Sequence, residues 1–243
     1  MRSLRALGRL ARLLLHVLRG LAIARRLPRL DEAARHERIR WWAGELLALL
    51  GVERVVEGTA PAGAMLLAVN HVSWLDIVAV HSVCPQARFV SKADVRGWPV
   101  IRTLVDAADT LYIERERKRD ALRVVHQVAE ALRRGETVAV FPEGTTGDGH
   151  ALLPFHANLL QAAIAAGSPV QPVALRFSQP GHAVSPAVAY VGDTTLLQSV
   201  WRIACAERLS VRVCLLPPVE APQADRRALA EQLRQRIARR LDG

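Results

Sequence analysis

Met65-Leu66-Leu67-Ala68-Val69-Asn70-His71-Val72-Ser73-Trp74-Leu75-Asp76 is an apolar run that stops on polar residues and then resumes at a new spacing. Met65 to Val69 reads as a strand and Ser73 to Ser82 as a helix, with Ser73 as its cap. His71 and Asp76 are five residues apart, which on one regular helix would set them about 140° apart on different faces. The pair makes chemical sense only if His71 sits in the turn and Asp76 in the first helical turn, where the carboxylate can fold back onto the imidazole. A carboxylate on one ring nitrogen fixes the tautomer and leaves the other nitrogen to accept a proton, the arrangement that activates a hydroxyl.

The same alternation extends outward from this unit. Val52 to Glu57, Arg88 to Val90, Leu111 to Ile113, Thr137 to Phe141, Val170 to Leu175, Ala187 to Val191 and Val211 to Leu215 are further candidate strands. Helical spacing marks Asp31 to Leu50, Arg119 to Arg134, His156 to Ala166, Thr195 to Ala206 and Asp225 to Leu241. Strand and helix in alternation predict an α/β fold, a single domain on a mostly parallel or mixed sheet flanked by helices, with sites at the strand ends. Residues 51–243 are expected to form that domain, and residues 1–50 an N-terminal helical membrane-association segment.

Over 243 residues the hydrophobic content of 51% supports a well-covered core, and the formal charge is +10. Arginine carries almost all of it, since Lys92 and Lys118 are the only lysines. Arg2, Arg5, Arg9, Arg12, His16, Arg19 and Arg26 recur every three or four residues, broadly opposite Leu4, Leu7, Leu10, Leu14, Leu18 and Leu21. Such a basic amphipathic helix suits an anionic membrane surface, with arginines toward the headgroups. Arg12, His16 and Arg19 interrupt the apolar stretch too often for a secretory signal. The uncharged region from Ala151 to Leu175 is punctuated by Pro154, Gly167, Pro169 and Pro172, so no spanning helix is expected. Cys84, Cys205 and Cys214 have neither zinc-ligand nor disulfide spacing, which fits a reducing compartment and no metal. Aromatic content of 5% without a zinc-finger or RNA-binding signature argues against nucleic acid as partner, and the absence of a G-x-S-x-G elbow argues against a serine hydrolase.

A second segment, Phe141-Pro142-Glu143-Gly144-Thr145-Thr146, follows another candidate strand and opens an uncharged, glycine-containing loop. Such a loop can hold backbone N–H groups toward an anion, while Glu143 at a strand end requires a partner.

Together these segments resemble the glycerolipid acyltransferase family typified by 1-acylglycerol-3-phosphate acyltransferase, over roughly Val52 to Leu216. Asn70, His71 and Asp76 match the family's N-H-x-x-x-x-D motif, and Phe141 to Thr145 match F-P-E-G-T-R up to Thr146, which replaces the arginine. Asp109 to Arg115 approaches G-x-x-F-I-x-R, with Asp109 and Tyr112 as departures, and Val170-Gln171-Pro172-Val173 matches a short apolar motif around a proline. The resemblance implies His71 and Asp76 as catalytic residues. It implies Lys92, Arg115, Glu143, Gly144, Thr145 and Thr146 as substrate-binding residues, with Arg115 and Lys92 toward phosphate. It further implies transfer of a fatty acyl group, without a cofactor, from acyl-CoA or acyl carrier protein to the hydroxyl of 1-acyl-sn-glycerol-3-phosphate at the cytoplasmic face of the inner membrane, peripherally or monotopically. The Glu-Gly-Thr-Thr variant also resembles a bacterial branch that includes lyso-ornithine lipid acyltransferases, where Asp148 would pair with the acceptor amine. A non-catalytic basic protein of the membrane surface would explain the arginines but would leave His71, Asp76 and Glu143 without a purpose.

Overall fold

The computed structural model describes residues 2–113, 118–221 and 225–243. Seven strands form one sheet: β1 (Val52–Gly58), β2 (Met65–Val69), β3 (Arg88–Lys92), β4 (Leu111–Ile113), β5 (Thr137–Val140), β6 (Val170–Ser178) and β7 (Leu209–Leu215). Their order is β1-β7-β6-β2-β5-β3-β4, parallel from β6 to β4, with β7 antiparallel to β6 and β1 parallel to β7. The expected mixed, mostly parallel sheet is thus observed.

β2 lies inside the sheet, and Leu66 to Val69 are all buried because both faces are covered. Leu67 and Val69 pack with α2 (Glu32–Leu50) and α3 (Leu75–His81). Leu66 and Ala68 pack on the other face with α5 (Lys118–Arg133), α6 (Leu160–Ala166) and α8 (Arg226–Asp242). A parallel strand buried on both sides reads as a continuous apolar run, which is why the segment lacks alternation.

α1 (Arg2–Ala24) joins α2 through a 3-10 turn at Leu27–Arg29, and Asp31 caps α2 by accepting from Ala34 N at 2.8 Å. Residues 43–50 belong to the same core as β2, so the N-terminal helices build part of the domain itself. α4 (Pro99–Ala107), to which the sequence reading assigned nothing, packs on α1, and α7 (Leu196–Cys205) flanks α1 as well. Gly20 sits at the first of these contacts, where a Cβ would fall 2.5 Å from Trp42 Nε1 and 3.1 Å from Leu104 Cδ2. Among the described residues no helix is long and apolar enough to cross a membrane.

Three expectations need correction. Ala187 to Val191 is not a strand: Pro186 interrupts its entry, and the segment instead crosses the end of the sheet, with Tyr190 N donating to Val72 O at 3.1 Å. α3 starts later than expected because residues 72 and 73 stay in the turn, their amides donating to Asp76 Oδ2. The capping group is therefore Asp76 more than Ser73, whose Oγ only receives Leu75 N at 3.3 Å. Finally, the arginine stripe does not face outward as a unit. Arg9 donates to Ala204 O and Ala206 O at 2.9 and 2.8 Å, Arg5 pairs with Glu207, and His16 is buried with its Nε2 2.9 Å from Trp42 O.

His81, on α3, is buried with Nε2 donating to Ala87 O at 3.0 Å, and burial pushes its pKa down to about 4. Above the unfolded value near 6.5 both states are neutral there; between about 6.5 and 4 only the unfolded chain takes the proton. Stability is therefore expected to fall by about 3 kcal/mol as pH drops through that window. Urea midpoints against pH should show this loss, reduced in His81→Gln.

Candidate active site

The site forms where β2 and β5, adjacent and parallel, deliver Asn70-His71 and Phe141-Pro142-Glu143 at their carboxyl ends. Loops at this end of neighbouring parallel strands are the usual place for a site in such sheets. Asn70 anchors the end of β2 to β6 twice, its amide donating to Leu175 O at 3.0 Å and its carbonyl accepting from Leu175 N at 2.7 Å.

His71 Nδ1 lies 2.8 Å from Asp76 Oδ2. The same oxygen accepts from Val72 N at 2.7 Å and Ser73 N at 2.8 Å, so three donors converge on it. An oxygen that already receives two amides acts as an acceptor, so Nδ1 donates to it and Nε2 is the ring nitrogen left for a substrate. Asp76 Oδ1 is buried and has no partner among the described residues. Phe141 stacks on the imidazole with ring centroids 3.8 Å apart and planes 11° apart, and Phe89 stacks behind Phe141 at 5.4 Å. The ring is thus fixed by a carboxylate at its edge and an aromatic face below.

Glu143 is buried, with Oε1 accepting from His71 N at 2.7 Å and Oε2 from Leu153 N at 2.8 Å. Burial pushes its carboxyl above the ordinary range, opposed by those two amide hydrogen bonds. The family resemblance implies a substrate-binding role for Glu143. The structure places it beneath the cavity, tying the His71 backbone to the neighbouring strand.

The Glu-Gly-Thr-Thr loop is also held from within. Gly144, at φ +72 in the left-handed region, donates to Phe141 O at 3.0 Å, and Gly147 N donates to His71 O at 2.8 Å. Of the amides such a loop could hold toward an anion, those of Thr145 and Thr146 meet no protein acceptor among the described residues. Thr146 Oγ1 donates to Tyr190 O, linking this loop to the segment that crosses Val72. Asp148 accepts from His150 N at 2.9 Å, is exposed and does not line the cavity.

A cavity of about 540 Å³ opens beside His71. Lys92, Gly144, Thr145, Thr146 and Tyr190 contribute polar groups to its lining, and the rest is mostly apolar, from the sheet and a roof that includes α1, α2 and α4. Of the expected site residues, His71, Lys92, Gly144, Thr145 and Thr146 line this space, Asp76 and Glu143 stand behind it, and Arg115 lies outside the described residues. Phe141, Tyr190 and the roof were not anticipated as parts of the site. Phe141 was within reach, since it belongs to a quoted motif, whereas Tyr190 has no local signal.

A family model described as "Acyltransferase" matches residues 52–176. The lyso-ornithine lipid O-acyltransferase of Pseudomonas aeruginosa is 40% identical over all of this chain and 96% of its own. The 1-acyl-sn-glycerol-3-phosphate acyltransferase of Neisseria meningitidis is 39% identical over 79% of this chain and 76% of its own. The crystal structure of the 1-acyl-sn-glycerophosphate (LPA) acyltransferase PlsC from Thermotoga maritima superposes with a TM-score of 0.75, covering 100% of this chain and 97% of that one at 20% identity, which establishes a common fold.

His71→Ala is expected to lower acyl-transfer turnover roughly a hundred- to ten-thousand-fold with the circular dichroism spectrum unchanged, the range for losing a general base. Asp76→Asn should also lower turnover, because a neutral amide whose oxygen stays on the Val72 and Ser73 amides no longer stabilises the imidazolium that forms. Glu143→Gln should also reduce turnover, since its NH2 group would face a backbone amide. Full activity in any of the three folded variants contradicts the corresponding role.

Proposed function

Since the chain belongs to the acyltransferase family, we propose that it transfers a fatty acyl group from a thioester donor, acyl-CoA or acyl carrier protein, to the free hydroxyl of a lysolipid. The observation that carries this reading is an oriented imidazole lining a largely apolar cavity: the imidazole suits proton transfer and the apolar lining suits a hydrocarbon chain.

In the proposed mechanism, His71 Nε2 takes the hydroxyl proton as the oxygen attacks the thioester carbonyl. The tetrahedral intermediate collapses to an ester as the C–S bond breaks. The departing thiolate recovers the proton from the imidazolium that Asp76 has stabilised, and no acyl-enzyme forms. The unpartnered amides of Thr145 and Thr146 are suited to anionic oxygen near the reacting centre, and Lys92 to a headgroup phosphate.

The acceptor is read first as 1-acyl-sn-glycerol-3-phosphate, giving phosphatidic acid, with Lys92 as its cation. A second reading, lyso-ornithine lipid, is favoured by Thr146: its hydroxyl is engaged with Tyr190 O, and it brings no charge to the mouth of the cavity. The relative covering the full chain also bears that name. Access to lipid is proposed to come from peripheral or monotopic attachment at the cytoplasmic face of the inner membrane, through the exposed leucines of α1.

With both acceptors in competition, the higher kcat/KM is expected for lysophosphatidic acid, each tenfold preference corresponding to about 1.4 kcal/mol of differential transition-state binding. Preference for the lyso-ornithine lipid assigns the second reading. Thr146→Arg should then shift the ratio toward the phosphate acceptor, through the guanidinium the loop lacks.

A further inference from the structure

Leu4, Leu7, Leu14, Leu15 and Leu18 of α1 are each more than half exposed. The docked side of that helix is made by Ala6, Leu13, His16 and Ala24. The outward leucines therefore form a stripe about 100° wide that points away from the domain. α1 is not the only helix of this surface to present apolar side chains. On α7, Leu197 is 82% exposed and Trp201 is 42% exposed. They are four residues apart and share one helical face.

Two observations bring this face into register with the α1 stripe. First, Arg9 bonds to Ala204 O and Ala206 O while Arg5 pairs with Glu207, which sets the start of α1 alongside the end of α7. Second, Leu196 and Val200 of α7 line the same cavity as Leu13 and Val17 of α1, so the two neighbouring helices both contribute to its wall. Leu197 and Trp201 follow Leu196 and Val200 by one position each, about 100° further around the helix, where they are exposed and do not line the cavity.

We infer that α7, through Leu197 and Trp201, is a second membrane-contacting ridge, and that with α1 it brackets the cavity mouth on the bilayer surface. The bilayer is chosen as occupant by charge and by continuity. Exposed Arg12, Arg19 and Arg202 lie on these two helices, while of the nearby acids Glu207 is paired with Arg5, Asp193 precedes α7 and Glu45 acts on His16 from α2. This balance suits anionic headgroups, and an indole at the rim suits the interface between headgroups and acyl chains. The same helix also forms a wall of the cavity that takes the chain. The capping box of Thr195 and Gln198, together with the bond from Trp74 Nε1 to Ser199 Oγ at 3.0 Å, holds α7 so that both residues stay at the surface. The inference rests on the lysolipid acyltransferase reading only for its purpose, the uptake of lipid; the surface contact is measured without turnover.

The test uses the full-length protein and vesicles of phosphatidylethanolamine and phosphatidylglycerol. The double variant Leu197→Glu/Trp201→Glu should float at least tenfold more weakly than the parent. It should retain parental activity toward a short-chain lysolipid below its critical micelle concentration, since neither residue lines the cavity. Independently, brominated lipid should quench the parent's fluorescence, and the conservative Trp201→Phe variant should lose that share of the quenching. Equal flotation of parent and double variant, or quenching unaltered in Trp201→Phe, would overturn the inference. So would a concentration-dependent dimer, lost in the double variant while flotation persists, which would assign the face to a second copy of the chain. A parent that floats as expected but acylates no lysolipid would refute the proposed reaction and leave the ridge standing.

Discussion

The carboxylate of Glu143 is the contact on which the rest of the site depends. It reaches from the end of β5 to accept the His71 amide, across 72 positions of sequence. Burying a carboxylate is costly unless its oxygens are hydrogen-bonded, and here each oxygen receives one amide. The neighbouring groups complete the pattern. His71 O receives Gly147 N, Val72 N goes to Asp76 and Val72 O receives Tyr190 N. All four backbone groups of this dipeptide are therefore engaged, by partners from three separate parts of the chain. A base carried on a loop would ordinarily exchange its bonds with water; this one is held as firmly as a strand residue, so its ring meets a substrate without first being ordered.

That arrangement explains what the sequence made legible and what it did not. The His71–Asp76 pair could be read because its logic is local: five residues, one turn and one helical start constrain where a carboxylate can fold back. β2 and β5 could be read because burial on both faces leaves an uninterrupted apolar run. Glu143 was recognised as a residue in need of a partner, but no spacing rule identifies a backbone amide on another strand as that partner, so it was assigned to substrate. Thr146 was read for the arginine it lacks, whereas its hydroxyl joins two crossing segments. Tyr190 sits in a stretch whose apolar residues mimic a strand; only the tertiary structure shows that the stretch crosses the sheet end instead of joining the ladder.

The N-terminal helix teaches a different lesson. A helical wheel separates charged from apolar positions, but an arginine facing protein and one facing lipid look alike in it. Arg9 satisfies the carbonyls that terminate α7, and Arg19 lies over the Trp41 ring at 4.5 Å. The docked face of α1 is rich in small residues, Ala6, Gly20 and Ala24, which allow close approach to neighbouring helices and leave bulky leucines outside. A protein that needed only a soluble covering helix would gain more by burying those leucines, each of which is worth roughly 1.5–3 kcal/mol when fully removed from water.

The wall of the cavity and the outward leucine stripe are thus two sides of the same helix, and this limits how α1 can engage a bilayer. Drawing it deep into the hydrocarbon would uncover Leu13 and Val17 and break the bonds from Arg9 to two carbonyls, each of the charge-assisted kind worth roughly 1.5–3 kcal/mol. It would also part His16 from Trp42, whose rings stack with centroids 5.2 Å apart. The leucines can reach the acyl region without any of these losses if the helix stays docked and lies in the interface, its apolar face entering by roughly 5–10 Å. Contact of that depth, in the proposed reading, leaves the packing of α1 over the cavity intact. For the proposed reaction this keeps the apolar wall beside the imidazole, where a lipid chain is expected to lie.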